Sequence, residues 1–172
     1  MKLNEITAPA LTPAQVQWLK DMNITKYSVD SEGFVNVDGS VYIMKKKLTS
    51  IPVKFGYVGG NFWCHDNNLS SLQGAPREVG GYVYCWNNNL SSLQGAPREV
   101  GGGFYCSNNN LTSLQGAPRE VGGEFNCSFN NLTSLQGAPR EVGGEFNCYR
   151  NNFTSEPDHS FIKIGGEFEW KL

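Results

Sequence analysis

Five cysteines, Cys64, Cys85, Cys106, Cys127 and Cys148, fall 21 residues apart. A column of thiols could ligate a metal or form disulfides. The spacing is that of neither a zinc site nor a disulfide framework, although stacked coils could bring neighbouring thiols close enough for oxidation or metal capture. Zinc sites draw their ligands from close pairs, and secreted disulfide frameworks do not place every cysteine at one repeat position. The column reads instead as small buried hydrophobes, the usual fate of a free cysteine. The two histidines, His65 and His159, lie far apart in the chain. No nucleophile–base pair, metal cluster or phosphate-binding loop emerges around them. No catalytic residue, metal ligand or cofactor is therefore expected, and the chain reads as a non-enzyme. Arg77, Arg98, Arg119 and Arg140 form a column that could grip phosphates. Each is followed by a glutamate (Glu78, Glu99, Glu120, Glu141), so the field largely cancels and a self-paired exposed ladder is expected.

These residues ride on a repeat. The segment Leu-Gln-Gly-Ala-Pro-Arg-Glu-Val-Gly-Gly recurs unchanged from Leu72, Leu93, Leu114 and Leu135. A fixed period of this length marks a stacked-repeat architecture. In one unit Phe125-Asn126-Cys127 alternates in, out, in, as a short strand does. Leu132 and Leu135 point inward after a turn. Gly137, Pro139 and Gly143-Gly144 bend the chain back to the next strand. One unit buries too little to fold alone, and stacking makes a continuous core. Six or seven parallel strands spaced about 4.8 Å apart would give a sheet roughly 25–30 Å along its stack. Asn67, Asn88, Asn109, Asn130 and Asn151 hold one position in every unit. Their amides can satisfy turn backbone groups that would otherwise cost about 1–3 kcal/mol each. Their tandem partners, such as Asn68 and Asn131, are expected to form the turns.

The register starts before the obvious copies. Val41 and Ile43 align with Phe62 and Cys64, so residues 41–60 are a degenerate first coil. Residues 1–40 are read as an N-terminal cap, and 41–172 as a solenoid ending in a degenerate coil, together one continuous domain. In the cap, Thr12-Pro13-Ala14-Gln15 has the form of a helix start with a capping box. Val16, Leu19 and Met22 give it one apolar stripe, and Asn23 is a stop. Residues 24–44 read as extended, with Asp38-Gly39 as the hairpin turn. At the other end Phe168 and Trp170 fill the inward positions, while Glu167, Glu169 and Lys171 put charge on the outer side of the last strand. Charge there resists edge-to-edge pairing, which weighs against the homodimer that this C-terminal edge could otherwise make.

The pattern Phe125-x-Cys127-x-x-Asn130-x-Leu132-x-x-Leu135 resembles the leucine-rich repeat, L-x-L-x-x-N-x-L-x-x-L. The short period is similar to the short bacterial class of that family. The Gly-Gly-x-Phe-x-Cys and Asn-Asn-Leu-Thr-Ser-Leu wording resembles repeat proteins of tailed bacteriophages and related bacterial sequences. The resemblance covers about residues 41–170. It implies a mainly β solenoid, curved, with a parallel sheet lining a concave, partner-binding face behind a helix-plus-hairpin cap. The bacteriophage resemblance implies a host protein as partner, with inhibition or counter-defence as the effect.

Differences between the repeats point to that face. The loops are identical four times over, whereas the outward strand positions are individual. Trp63, His65, Tyr82, Tyr84, Trp86 and Tyr105 are expected to make an aromatic patch toward the N-terminal half. Glu124, Phe129, Glu145, Tyr149 and Arg150 continue it as a more polar surface. Tryptophan, tyrosine and arginine are common anchors of protein interfaces. Aromatic stacking across strands could instead only stiffen the sheet. The stiffening would serve every coil, yet the aromatics are confined to part of the face. The leading expectation is a non-enzymatic module that binds another protein. The alternative is a small-ligand or nucleic-acid binder that stacks on the aromatic rows. A net charge of −2 gives no bulk attraction to nucleic acid or anionic membrane. No apolar run approaches the length of a membrane span. The first ten residues lack a signal-peptide layout, so a cytoplasmic location is expected.

Overall fold

A computed structural model describes residues 10–171. It is a mainly β solenoid of about six turns with one short helix, α1 (Pro13–Asp21). The helix starts as its sequence dictates. The Thr12 hydroxyl accepts from the Gln15 N–H at 3.2 Å, and the Gln15 side-chain oxygen Oε1 accepts from the Thr12 N–H at 2.9 Å. Pro13 takes the first helical position, and Asn23 at φ 59° follows the end. Leu19 is buried, Trp18 packs 6.5 Å from Phe55, and the Gln15 amide donates to the Pro52 carbonyl at 2.9 Å. These contacts fix the helix on the first coil.

An antiparallel pair follows, β1 (Ser28–Val29) with β2 (Val35–Val37). Its turn lies at Asp30–Gly33, not at Asp38-Gly39. The Asp30 carboxylate accepts the N–H groups of Glu32 and Phe34, both at 2.9 Å, and Gly33 supplies φ 84°. Asp38-Gly39 instead forms a corner of the solenoid. It is bonded to the next corner through Gly59 N–H to Val37 O and Gly60 N–H to Gly39 O.

Two sheets run the length of the stack. After β1, the first sheet is parallel: β2, β4 (Phe55–Val58), β6 (Glu78–Val79), β8 (Glu99–Val100), β10 (Glu120–Val121), β12 (Glu141–Val142) and β14 (Lys163–Ile164). The second holds seven parallel strands: β3 (Val41–Tyr42), β5 (Phe62–Trp63), β7 (Val83–Tyr84), β9 (Phe104–Tyr105), β11 (Phe125–Asn126), β13 (Phe146–Asn147) and β15 (Phe168–Glu169). They are called here the Glu-Val sheet and the Phe sheet. The Glu-Val strands occupy what the sequence alone presents as loop. Two residues per coil are too few to show a period, but stacking at an identical register pairs them. The Gly-Gly corner joins the sheets. A Cβ on Gly101 would lie 2.2 Å from the Gly80 carbonyl oxygen, so only glycine lets the corners stack this closely.

Between the sheets, the phenylalanine, cysteine, leucine and valine columns are buried, with Phe104 stacked 5.6 Å from Phe125. Burying each such side chain contributes roughly 1.5–3 kcal/mol. The asparagine column closes the turn side. The Asn109 amide donates to Cys85 O and Cys106 O at 3.1 Å each, and its oxygen accepts from Leu90 N–H at 3.0 Å. Asn67, Asn88, Asn130 and Asn151 repeat the arrangement. The left-handed turn residue precedes this asparagine. It is Asp66, Asn87, Asn108, Phe129 or Arg150, at φ 51–55°. Asn68 and Asn131, expected to form the turn, have ordinary φ and donate backbone bonds to Leu48 and Leu111 of the preceding coil.

The charge columns on the Glu-Val sheet are exposed but are not a regular self-paired ladder. Arg119 meets Glu120 at 3.7 Å, whereas Arg77 pairs with Glu32 of the cap at 3.2 Å and lies over the Phe34 ring. Glu141 pairs with Lys163 at 2.7 Å. The arginines stand just before the two-residue strands, and both columns are exposed to solvent, where an ion pair contributes little to hold the side chains together.

Candidate binding face

The outward side chains of the Phe sheet lie in register. Tyr42, Trp63, Tyr84, Tyr105, Asn126, Asn147 and Glu169 form one row. Its aromatic part is a continuous stack. Tyr42 lies 6.2 Å from Trp63, Trp63 lies 4.0 Å from Tyr84, and Tyr84 lies 5.1 Å from Tyr105, with interplanar angles of 9–23°. Tyr82 flanks it, 6.0 Å from Tyr84 and 6.5 Å from Tyr105. Gly103 makes room for the Tyr105 ring, since a Cβ there would meet Tyr105 Cε2 at 2.8 Å. A second row pairs His65 with Trp86 at 4.1 Å and 12°.

These rings are less bare than their sequence positions imply. Trp63, Tyr84 and Tyr105 are half-buried against one another, and Trp86 is half-buried over His65, which is only 6% exposed. The His65 Nδ1 lies 2.9 Å from Asp66 Oδ2. The Asp66 carboxyl is held below the usual range, chiefly by a hydrogen bond from the Asn87 amide and then by His65. The Trp63 Nε1 is buried without a hydrogen-bond partner among the described residues, a cost of about 1–3 kcal/mol that a phenyl ring would not carry. Burial, followed by the Glu124 carboxylate, pushes the Tyr105 hydroxyl up to about 12. Burial and then Tyr82 raise that of Tyr84. Both hydroxyls are therefore protonated donors at neutral pH.

The C-terminal half is built differently. Glu124 and Glu145 accept from the amides of Asn126 and Asn147 at 2.9 and 3.0 Å. Asn147 also donates to Glu169 at 2.7 Å. Phe129 is 50% exposed and meets Tyr149 edge-on at 5.8 Å. Arg150 donates to the Tyr149 hydroxyl at 3.0 Å. Phe129 and Arg150 occupy the left-handed turn position that Asn87 and Asn108 fill in earlier coils. Asparagine tolerates that conformation, whereas a bulky aromatic is an outlier there.

The structure thus gathers the expected residues into two groups: the Trp63, His65, Tyr82, Tyr84, Trp86, Tyr105 stack, and the Phe129, Tyr149, Arg150 cluster. Glu124 borders the first, and Glu145 lies on the polar row. Tyr42, 52% exposed, belongs to the stack and was not among the expected residues. Its signal was the alignment of Val41 with Phe62, which puts Tyr42 at the Trp63 position. The cysteines are free, buried and pushed up in pKa by burial, Cys64 to about 12. Among the described residues, no group of three or more His, Cys, Asp or Glu is placed to hold a metal ion, and no helix is long and apolar enough to cross a membrane. No protein-family model, curated protein or solved structure matches the chain.

Proposed function

We propose that the chain is a non-enzymatic protein-binding module that uses the outward face of the Phe sheet. The observation that carries this reading is the placement of individuality. Core, corner and Glu-Val positions repeat almost unchanged from coil to coil, and the outward Phe-sheet positions vary along the stack, aromatic in the first half and polar in the second. Phe129 and Arg150 add to it, because both hold a strained turn position where asparagine would serve the fold better. The aromatic stack offers a rigid surface whose side chains lose little entropy on contact. Apart from the outer face of Tyr42, its rings already cover one another's faces. That geometry weighs against base or planar-ligand stacking along the row, which needs free ring faces. We place the chain with the short leucine-rich repeats, as a bacteriophage-type protein acting in host cytoplasm on a host protein, an inhibitor in counter-defence being the form this would take. The test is affinity capture from bacterial lysate with wild type, a Tyr82→Ala, Phe129→Ala, Arg150→Ala variant and a Glu99→Lys, Glu120→Lys variant, each checked for folding by circular dichroism. A protein held by wild type and the Glu-Val-sheet variant but lost by the Phe-face variant supports the reading. A protein lost only by the Glu-Val-sheet variant overturns it.

A further inference from the structure

The two sheets begin differently. The Glu-Val sheet is extended at its N-terminal end by β1, but among the described residues the Phe sheet begins at β3, with no strand beyond it. The N–H groups of Val41, Ile43 and Lys45 donate inward to Asn61, Trp63 and His65 of the next coil. Backbone groups of successive strand residues point to opposite sides in the sheet plane. The N–H and C=O of Tyr42, and the N–H of Met44, therefore face outward from the stack.

They face a groove of about 950 Å³ between this edge and the segment after α1. Met22, Ile24, Val37, Tyr42 and Met44 give it an apolar lining. Lys26, Lys45 and Lys46 also line it, against Asp38 as the one acidic lining residue. None of these lysines forms an ion pair among the described residues, although Asp66 lies within the field of Lys45. Further, Tyr42 stacks on Trp63 with one ring face only, and no described ring covers its other face.

We propose that this groove seats an extended acidic segment of a partner protein, added as a parallel strand to β3. The segment repeats the bonding of every other coil: an N–H to Tyr42 O, and a C=O from Tyr42 N–H, as Ile43 N–H donates to Trp63 O one coil on. Strand alternation puts every second side chain over the apolar lining and the others toward the lysines. Backbone pairing supplies attraction and the lysines select acidic over basic sequence. This site adjoins the outward face at Tyr42, but its backbone pairing and its lysines lie apart from Tyr82, Phe129 and Arg150, so each reading can fail without the other.

The probe is a fluorescein-labelled peptide of alternating glutamate and valine, about seven residues long so as to span roughly 20 Å. Its lysine–valine counterpart is the control. Fluorescence polarisation should show the glutamate peptide binding at least about tenfold more tightly, with the preference reversed in a Lys26→Glu, Lys45→Glu, Lys46→Glu variant. N-methylation of alternate peptide amides should abolish binding in one register and spare it in the other. Amide exchange followed by NMR should slow at Tyr42 on peptide addition, while Val41 and Ile43 stay as they were. Equal binding of both peptides, indifference to N-methylation, or an unchanged Tyr42 amide overturns the proposal. Binding of polyuridylate in place of the peptide also overturns it. So does peptide binding that emerges only after residues 1–9 are removed, which would make the groove a seat for the chain's own N-terminus.

Discussion

The Glu-Val sheet and the Phe sheet are made by the same coils, at the same stacking distance, from the same chain. Their outward surfaces have been treated in opposite ways. Glu78, Glu99, Glu120 and Glu141 repeat without change, flanked by an unchanging arginine column. Tyr42, Trp63, Tyr84, Tyr105, Asn126, Asn147 and Glu169 pass from aromatic to amide to acid along the stack. A stack needs only its inward and corner residues to be uniform. Uniformity outside the core on one sheet and individuality on the other is the contrast on which the proposed binding face rests.

Substitutions can break that contrast or sharpen it. The largest effect belongs to the scaffold. Asn109→Ala strands the Leu90 N–H and takes from Cys85 O and Cys106 O one of the two amide donors that each has, and should cost about 1–3 kcal/mol in urea unfolding. Partner binding by the folded fraction should be unchanged. Alkaline pH comes next. Cys64 and Cys148 are raised from 9.0 to about 12, and Cys85, Cys106 and Cys127 are raised well above 9.0, all by burial first. A group whose folded pKa is raised contributes its stability below the unfolded value and loses it as pH climbs toward the folded one. Stability should therefore hold below pH 9 and fall from 9 toward 12. Cys106→Ala should make that fall shallower. The same burial should keep the native thiols silent to a thiol reagent at neutral pH until denaturant is added.

The next two substitutions separate the faces. Phe129→Asn should stabilise the fold by about 0.5–1 kcal/mol, as strain leaves the left-handed turn, and should weaken partner binding. A gain in stability joined to a loss of binding is the signature of a residue kept for contact. Glu99→Lys, on the uniform sheet, should shift stability by less than about 0.5 kcal/mol and leave binding alone.

Much of this was legible in the sequence, for identifiable reasons. The helix cap at Thr12 and Gln15 is a local reciprocal bond that two residue types announce. The asparagine column was legible because a buried amide repeated at one position has few other uses. The second sheet was not, because Glu-Val supplies two residues per coil among glycine and proline. Its pairing exists only through stacking. The turn position was hidden in runs such as Asn87-Asn88-Asn89, where composition does not say which asparagine takes positive φ. The outward face was legible as a face but not as a packed one. That His65 lies under Trp86, and that the rings consume one another's surfaces, follows from side-chain geometry rather than from residue type.

The most direct test replaces single residues with the photocrosslinker p-benzoylphenylalanine, at Tyr82 and Phe129 on one sheet and at Glu99 and Glu141 on the other, and irradiates the protein in bacterial lysate. The account predicts one protein adduct of the same mass increment from the Tyr82 and Phe129 positions and none from Glu99 or Glu141. Adducts from Glu99 and Glu141 alone would put the working surface on the uniform sheet and contradict it.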